Sequence, residues 1–306
     1  MEKFLYFFVH LIIPMIIVLL LIRRKPKSKI DLITSSGLLS SIIIFLYLWG
    51  QWPLVGSYYL RYLMVAILLL ILFYFVRRFP TLTFFWPKNR KRLFLTIPVG
   101  LLSIYLLMMS ITIINGSKYS EKSIELSFPL KNGNFYIASG GSNKLVNNHM
   151  RDYPNSQEFA IDINKLGKYG EVSNSFLSTR NTSHYIFSTS VHSPCEGLIV
   201  QSADGIEDNL ETSTNVSRKN GKGNYITIKC DKAYISLYHM KENSVLKAVG
   251  DRVEKGEEIG LVGNSGFSQE PHLHIQAAVY NLDSVLVGLP IKFENGFVSK
   301  NDIVSN

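Results

Sequence analysis

Apolar residues fall into two regimes along this chain. From residue 4 to residue 114 they form four nearly unbroken runs, at about 4–22, 33–52, 59–76 and 93–114, each close to the ~20 residues that carry a helix across a bilayer. Past Asn115 the runs shrink to about five to eight residues, rich in β-branched and aromatic side chains and bounded by turn formers, at 159–163, 197–201, 225–229, 234–239 and 272–279. The first regime predicts a region of four transmembrane helices over residues 1–116. The second predicts a mainly-β domain with an antiparallel sheet over residues 141–306, reached through a tether and domain entry at 117–140.

Charge sharpens this division. Residues 1–117 hold thirteen Lys/Arg and two acids, Glu2 and Asp31, so the overall charge of +9 splits into +11 for that part and −2 for the remainder. Arg23, Arg24, Lys25, Lys27 and Lys29 separate the first two runs, and Arg77, Arg78, Lys88, Arg90, Lys91 and Arg92 separate the last two. Positively charged loops stay in the cytoplasm, so four crossings put the amino terminus and everything after Asn115 outside. Basic clusters in these juxtamembrane places are topology signals, and nucleic acid is not an expected partner. The first run is read as a membrane helix and not as a signal peptide, because its basic cluster follows the apolar stretch and no small-residue cleavage site is evident. His10 and Arg61 read as packing or snorkelling residues, not as a transport pathway.

Two features of the outer part stay open. The polar stretch 204–223 lacks apolar periodicity and is either a surface insertion or a cleft wall. Cys195 and Cys230 are the only cysteines; antiparallel pairing of 195–202 with 223–230 would set them opposite each other, as a disulfide or as two reduced core thiols.

The chemistry gathers near the carboxyl end. His272 and His274 stand two apart at the start of an apolar run, so on a strand both imidazoles leave the same face. One can then ligate a metal while the other handles protons or charge, a division that suits a hydrolytic zinc site.

The stretch from Tyr234 to Gln276 resembles the lysostaphin-type, LytM-like zinc metallopeptidases. The resemblance rests on Leu237-Tyr238-His239-Met240, Val249 to Gly260, Val262-Gly263-Asn264-Ser265-Gly266 and Glu270-Pro271-His272-Leu273-His274, and Ser193 to Gly197 is similar to that family's turn into a central strand. It covers about residues 155–280 and implies nothing for the apolar part. It implies one zinc ion, with His274 as a ligand and His239 and His272 as unligated catalytic histidines. Asp162 takes the role of the carboxylate ligand. Where that family has a histidine four residues before this aspartate, the chain has Glu158. The missing imidazole is expected from His149, as in a variant subgroup in which Gln157-Glu158-Phe159-Ala160-Ile161-Asp162 follows the ligand, with Glu158 as the fallback. His184 and His192 are expected to be structural or rim residues.

These readings combine into a membrane-anchored, extracytoplasmic zinc endopeptidase whose substrate is the peptide part of bacterial peptidoglycan or another extracytoplasmic peptide. The competing expectation is a non-catalytic wall-binding or regulatory module with a degenerate peptidase domain, motivated by Glu158.

Overall fold

A computed structural model describes residues 2–23, 26–85, 90–119, 122–152, 155–175, 180–210 and 220–306. Arg24, Lys25, Lys88, Tyr153, Pro154 and residues 211–219 of the polar stretch lie outside the described residues. The chain divides into two units, Met1–Ile114 and Asn115–Asn306.

In the first unit, Pro14 has no N–H to give to residue 10, and the helix there is not uniform. It runs as α1 (Glu2–Phe7), a π-helical turn (Phe8–Ile12) and α2 (Ile13–Arg23). α3 (Lys29–Trp49) starts where the Ser28 hydroxyl accepts the Asp31 N–H at 3.2 Å, a side-chain cap. α4 (Arg61–Arg78) and α5 (Arg90–Asn115) follow. Among the described residues three stretches are long and apolar enough to cross a membrane, Lys29–Trp49, Tyr58–Thr81 and Thr96–Asn115, while Leu5–Leu20 is apolar but shorter. The four equivalent runs of the sequence are therefore three long helices and a shorter one. Leu39, Ile43, Trp52, Met64 and Ile71 pack together at their centre. His10 donates from Nδ1 to the Tyr6 carbonyl at 2.8 Å and packs against the rings of Trp49 and Trp52. Arg61 donates to the Tyr58 hydroxyl at 2.6 Å and lies over the Tyr47 ring. Both are used in packing.

The second unit is built from short strands. They are β1 (Ile124–Glu125), β2 (Asn134–Ser139), β3 (Ile161–Leu166), β4 (Ser190–His192), β5 (Gly197–Ala203), β6 (Asn224–Cys230) and β7 (Ala233–Met240). β8 (Arg252–Val253), β9 (Glu258–Leu261), β10 (Leu273–Tyr280), β11 (Leu286–Leu289), β12 (Ile291–Phe293), β13 (Gly296–Phe297) and β14 (Ile303–Ser305) complete the set among the described residues, and a five-residue helix, α6 (Asn148–Asp152), precedes β3. Nine strands form an antiparallel sheet in the order β14-β2-β3-β10-β7-β6-β5-β8, and β11 pairs with the far end of β10. Two small sheets, β1-β12-β13 and β4-β9, flank it. The expected mainly-β antiparallel domain is present.

β10 is the centre of this sheet. Its Leu273, Ile275 and Ala277 are buried against Ile161, Ile163, Leu237 and Ile235 from β3 and β7, so both neighbours are locked by apolar burial. Within the stretch 117–140, expected as a tether and domain entry, Leu126, Phe128, Leu130, Phe135 and Ile137 already belong to this core. The strand expected over 159–163 begins two residues later, because Asn155 takes a positive φ and the carbonyls of Asn155 and Gln157 close turns onto Glu158 and Ala160. Cys195 and Cys230 form a disulfide. Its register is not the expected one: Leu198 faces Lys229, and a bulge between Ile199 and Gln201 shifts the hairpin further.

Candidate metal centre

Sheet register places the first pair of groups. His274 on β10 sits directly opposite Asp162 on β3 on one side and Tyr238 on β7 on the other. Directly opposed residues on one face have Cβ atoms about 5 Å apart, close enough for side chains to share an ion. His274 Nδ1 is 3.1 Å from Asp162 Oδ1, and His272 Nε2 is 3.7 Å from the same oxygen, so the two histidines do share a face.

The third group comes from outside the sheet. α6 carries His149, whose Nε2 lies 2.8 Å from Asp162 Oδ2. Buried Asn147 fixes this helix: its side-chain amide is within 3.2 Å of the carbonyls of Gly141, Glu158 and Ala160, and its Oδ1 accepts the His149 N–H at 3.0 Å. One ligand atom from each of His149, Asp162 and His274 lies within 4.8 Å of the others, and this is the metal-capable group among the described residues. Glu158, the fallback ligand, is in the turn before β3 and is not in that group. His184 and His192 are also outside it.

Hydrogen bonds set which nitrogen faces the centre. Gln276, two residues along β10 from His274 and therefore on the same face, accepts from His274 Nε2–H at 3.0 Å and leaves Nδ1 toward Asp162. His239 donates Nδ1–H to the Ser265 carbonyl at 2.9 Å, and His272 does so to the Glu270 carbonyl at 2.9 Å. Each thus keeps Nε2 for the site. Their rings are 4.8 Å apart. His239 has φ +64, a left-handed conformation that a β-sheet histidine adopts only when its surroundings impose it. Here its N–H is held by the Lys222 carbonyl and its own carbonyl accepts from Gly263.

The electrostatics follow from burial and from one carboxylate. Burial would raise the Asp162 carboxyl, but His149, His274 and His272 hold it well below the usual carboxylate range. Burial opposes charging His149, yet Asp162 outweighs it and leaves that imidazole raised. Burial pulls His239 well below its ordinary value, with His272 and His274 adding to the effect, so it is neutral at neutral pH. His274 is lowered by burial despite the hydrogen bond to Asp162. Two neutral-accessible imidazoles and one ionised carboxylate, converging with nitrogen and oxygen atoms, match the donor set of a zinc site with an open position.

A cavity of about 530 Å³ opens onto this centre and is lined by His149, His239 and His274. Ile206 and residues 220–223 form part of its side, so the described part of the polar stretch is a cleft wall.

Residues 185–285 match the family model "Peptidase family M23". The chain carries a family M23 peptidase domain. His239, His272 and His274 lie inside the matched residues, whereas His149 and Asp162 precede them. An uncharacterized metalloprotease of Buchnera aphidicola is 32% identical over 169 residues, covering 51% of this chain and 40% of the relative. One of Haemophilus influenzae is 41% identical over 56 residues, covering 18% of this chain and 12% of the relative. The chain thus spans well under half the length of either relative. Among solved structures, a zinc-containing peptidase from Vibrio cholerae is similar at 19% identity, covering 54% of this chain and 39% of that one, with a TM-score of 0.32. The catalytic domain of lysostaphin from Staphylococcus simulans is similar at 23% identity, covering 39% and 86%, with a TM-score of 0.25.

Sequence reasoning from the residues alone did not find Gln276 or Asn147. Gln276 had a signal, since it is the next same-face position after His274. Asn147 had none, because its role depends on three carbonyls brought together by the fold.

Proposed function

We propose that this M23 domain is a zinc endopeptidase, anchored in the cytoplasmic membrane by the apolar helices and facing outward, that hydrolyses peptide bonds in bacterial peptidoglycan. The observation that carries the reading is the convergence of His149 with Asp162 and His274, which supplies the imidazole that Glu158 left missing and favours an enzyme over a degenerate binding module. A zinc ion held by these three residues supplies Lewis acidity toward the scissile carbonyl and lowers the pKa of water.

The chain's own groups account for the proton handling. His239, neutral and with Nε2 free for the cavity, takes a proton from the attacking water. His272, anchored through Nδ1, presents Nε2 on the Asp162 side, beside the developing oxyanion, and the proton that His239 took passes on to the departing amine. Asp162 stays ionised throughout, and Gln276 holds His274 in one tautomer.

The test uses the full chain in detergent micelles, with zinc content and mass spectrometry of a peptidoglycan digest. One zinc per chain and new peptide ends are expected, both lost in His149→Ala and His274→Ala and kept in Glu158→Ala. A wild-type protein with neither zinc nor cleavage under metal-replete conditions overturns the reading.

A further inference from the structure

The cavity beside the metal centre is lined by histidines, tyrosines, amides and apolar groups, and among its described lining residues Lys222 is the one permanent charge. Lys222 is half-buried, and that burial pulls its ammonium below the ordinary lysine value. Its Nζ donates to a neutral amide oxygen, Gln201 Oε1, at 3.3 Å. It lies 4.6 Å from the centre of the Tyr225 ring and 5.5 Å from that of Tyr238. Among the described residues no carboxylate comes within ion-pair distance of it. A partly desolvated cation without a counter-ion costs stability, and a lysine on an ordinary surface avoids that cost by reaching into water.

The backbone does not allow this lysine to drift. Its carbonyl accepts the His239 N–H at 3.1 Å, tying it to a candidate catalytic residue. The next residue, Gly223, has φ +64 and sits so close to Ser265 that a Cβ would overlap the Ser265 carbonyl. Tyr238, against which the ammonium rests, stacks on His274 with ring centres 4.9 Å apart and planes 5° apart. One aromatic ring therefore separates the cation from a metal-site histidine. A peptide advances about 3.5 Å per residue, so an anion on Lys222 belongs to a residue two or three positions from the bond at the centre.

We infer that Lys222, cradled by Tyr225 and Tyr238, is a carboxylate subsite of the cleft, so that the preferred substrates are peptides carrying a free carboxylate two or three residues from the scissile bond. The carboxylate is a chain terminus or an acidic side chain; both present the same two oxygens to the ammonium. For its reaction this inference rests on the peptidase reading, but carboxylate binding itself needs no metal.

The experiment titrates the full chain in detergent micelles, made metal-free with EDTA, with three probes: N-acetyl-Ala-Ala, N-acetyl-Ala-Glu-amide and N-acetyl-Ala-Ala-amide. Isothermal titration calorimetry is run on wild type, Lys222→Met and Lys222→Arg. A charge-assisted hydrogen bond predicts about 10- to 100-fold tighter binding of a carboxylate probe than of the uncharged amide, retained in Lys222→Arg and erased in Lys222→Met. The two carboxylate probes tell terminus from side chain. Equal affinities in wild type, no binding of any probe, or a preference that survives Lys222→Met overturns the inference. Reloading the same protein with zinc separates the two claims: absent peptidoglycan cleavage with an intact carboxylate preference removes the peptidase reading and leaves the subsite standing.

Discussion

At the scale of single residues, the site depends on groups that never touch a metal. Gln276→Leu leaves His274 Nε2–H buried without its acceptor, and zinc affinity is expected to fall about 10- to 100-fold, measured by competition with a chelator, with the fold retained. His192 offers a contrast outside the centre. Burial, and then Lys131, lower its imidazole below 6.5. As pH falls below about 6.5 the unfolded chain binds that proton first, so this residue makes stability decline with acidification. Melting temperature between about pH 7.5 and about 5.5 should therefore drop less in His192→Gln than in wild type. His149 has the opposite sign, its folded value being raised: its contribution is present below 6.5 and is lost as pH rises through the folded value. Residue identity in the sequence showed His272 and His274 through a local pattern, and His239 through the resemblance of Leu237-Tyr238-His239-Met240 to a family segment. His149 was visible through family resemblance alone, since a five-residue helix leaves no periodicity to read.

At the scale of elements, β5, β6, β7 and β10 were legible because they are seven or eight residues long and carry buried aliphatic residues near their centres, among them Ile199, Ile226, Ile228, Ile235, Leu237 and Ile275. β1 and β8 have two residues each, and their pairing is set by neighbours distant in sequence, as in the parallel contact of Ile124 with Ile291 and the antiparallel contact of Val253 with Gly197. The loops around the cleft obey close-approach constraints. Gly266 has φ +75, and a Cβ there would overlap the backbone nitrogen of Gly223. Gly266→Ala should cost about 3 kcal/mol in chemical denaturation. Gly296→Ala, at φ +111 but with open space around it, should cost only about 1 kcal/mol. Asn147→Ala, which leaves buried carbonyls of Gly141 and Ala160 short of a donor, should cost about 1–3 kcal/mol and weaken zinc binding as α6 loosens.

At the scale of the whole molecule, the division at residue 114 separates two solvents' worth of side chains. Large apolar residues such as Leu69, Leu70, Phe73, Leu101 and Met108 stand exposed on α4 and α5, where a bilayer is the natural covering. Full-length chain is expected in the membrane fraction after carbonate extraction, and residues 115–306 expressed alone in the soluble fraction. The Cys195–Cys230 bond adds a built-in reporter of compartment. Glutathione keeps cytosolic thiols reduced, so a pair that resists alkylation in intact cells until a reductant is added has matured on the oxidising side. Loop charges and thiol labelling report on orientation by unrelated chemistry, and a disulfide scored on whole cells would orient the domain without any assay of what it cuts.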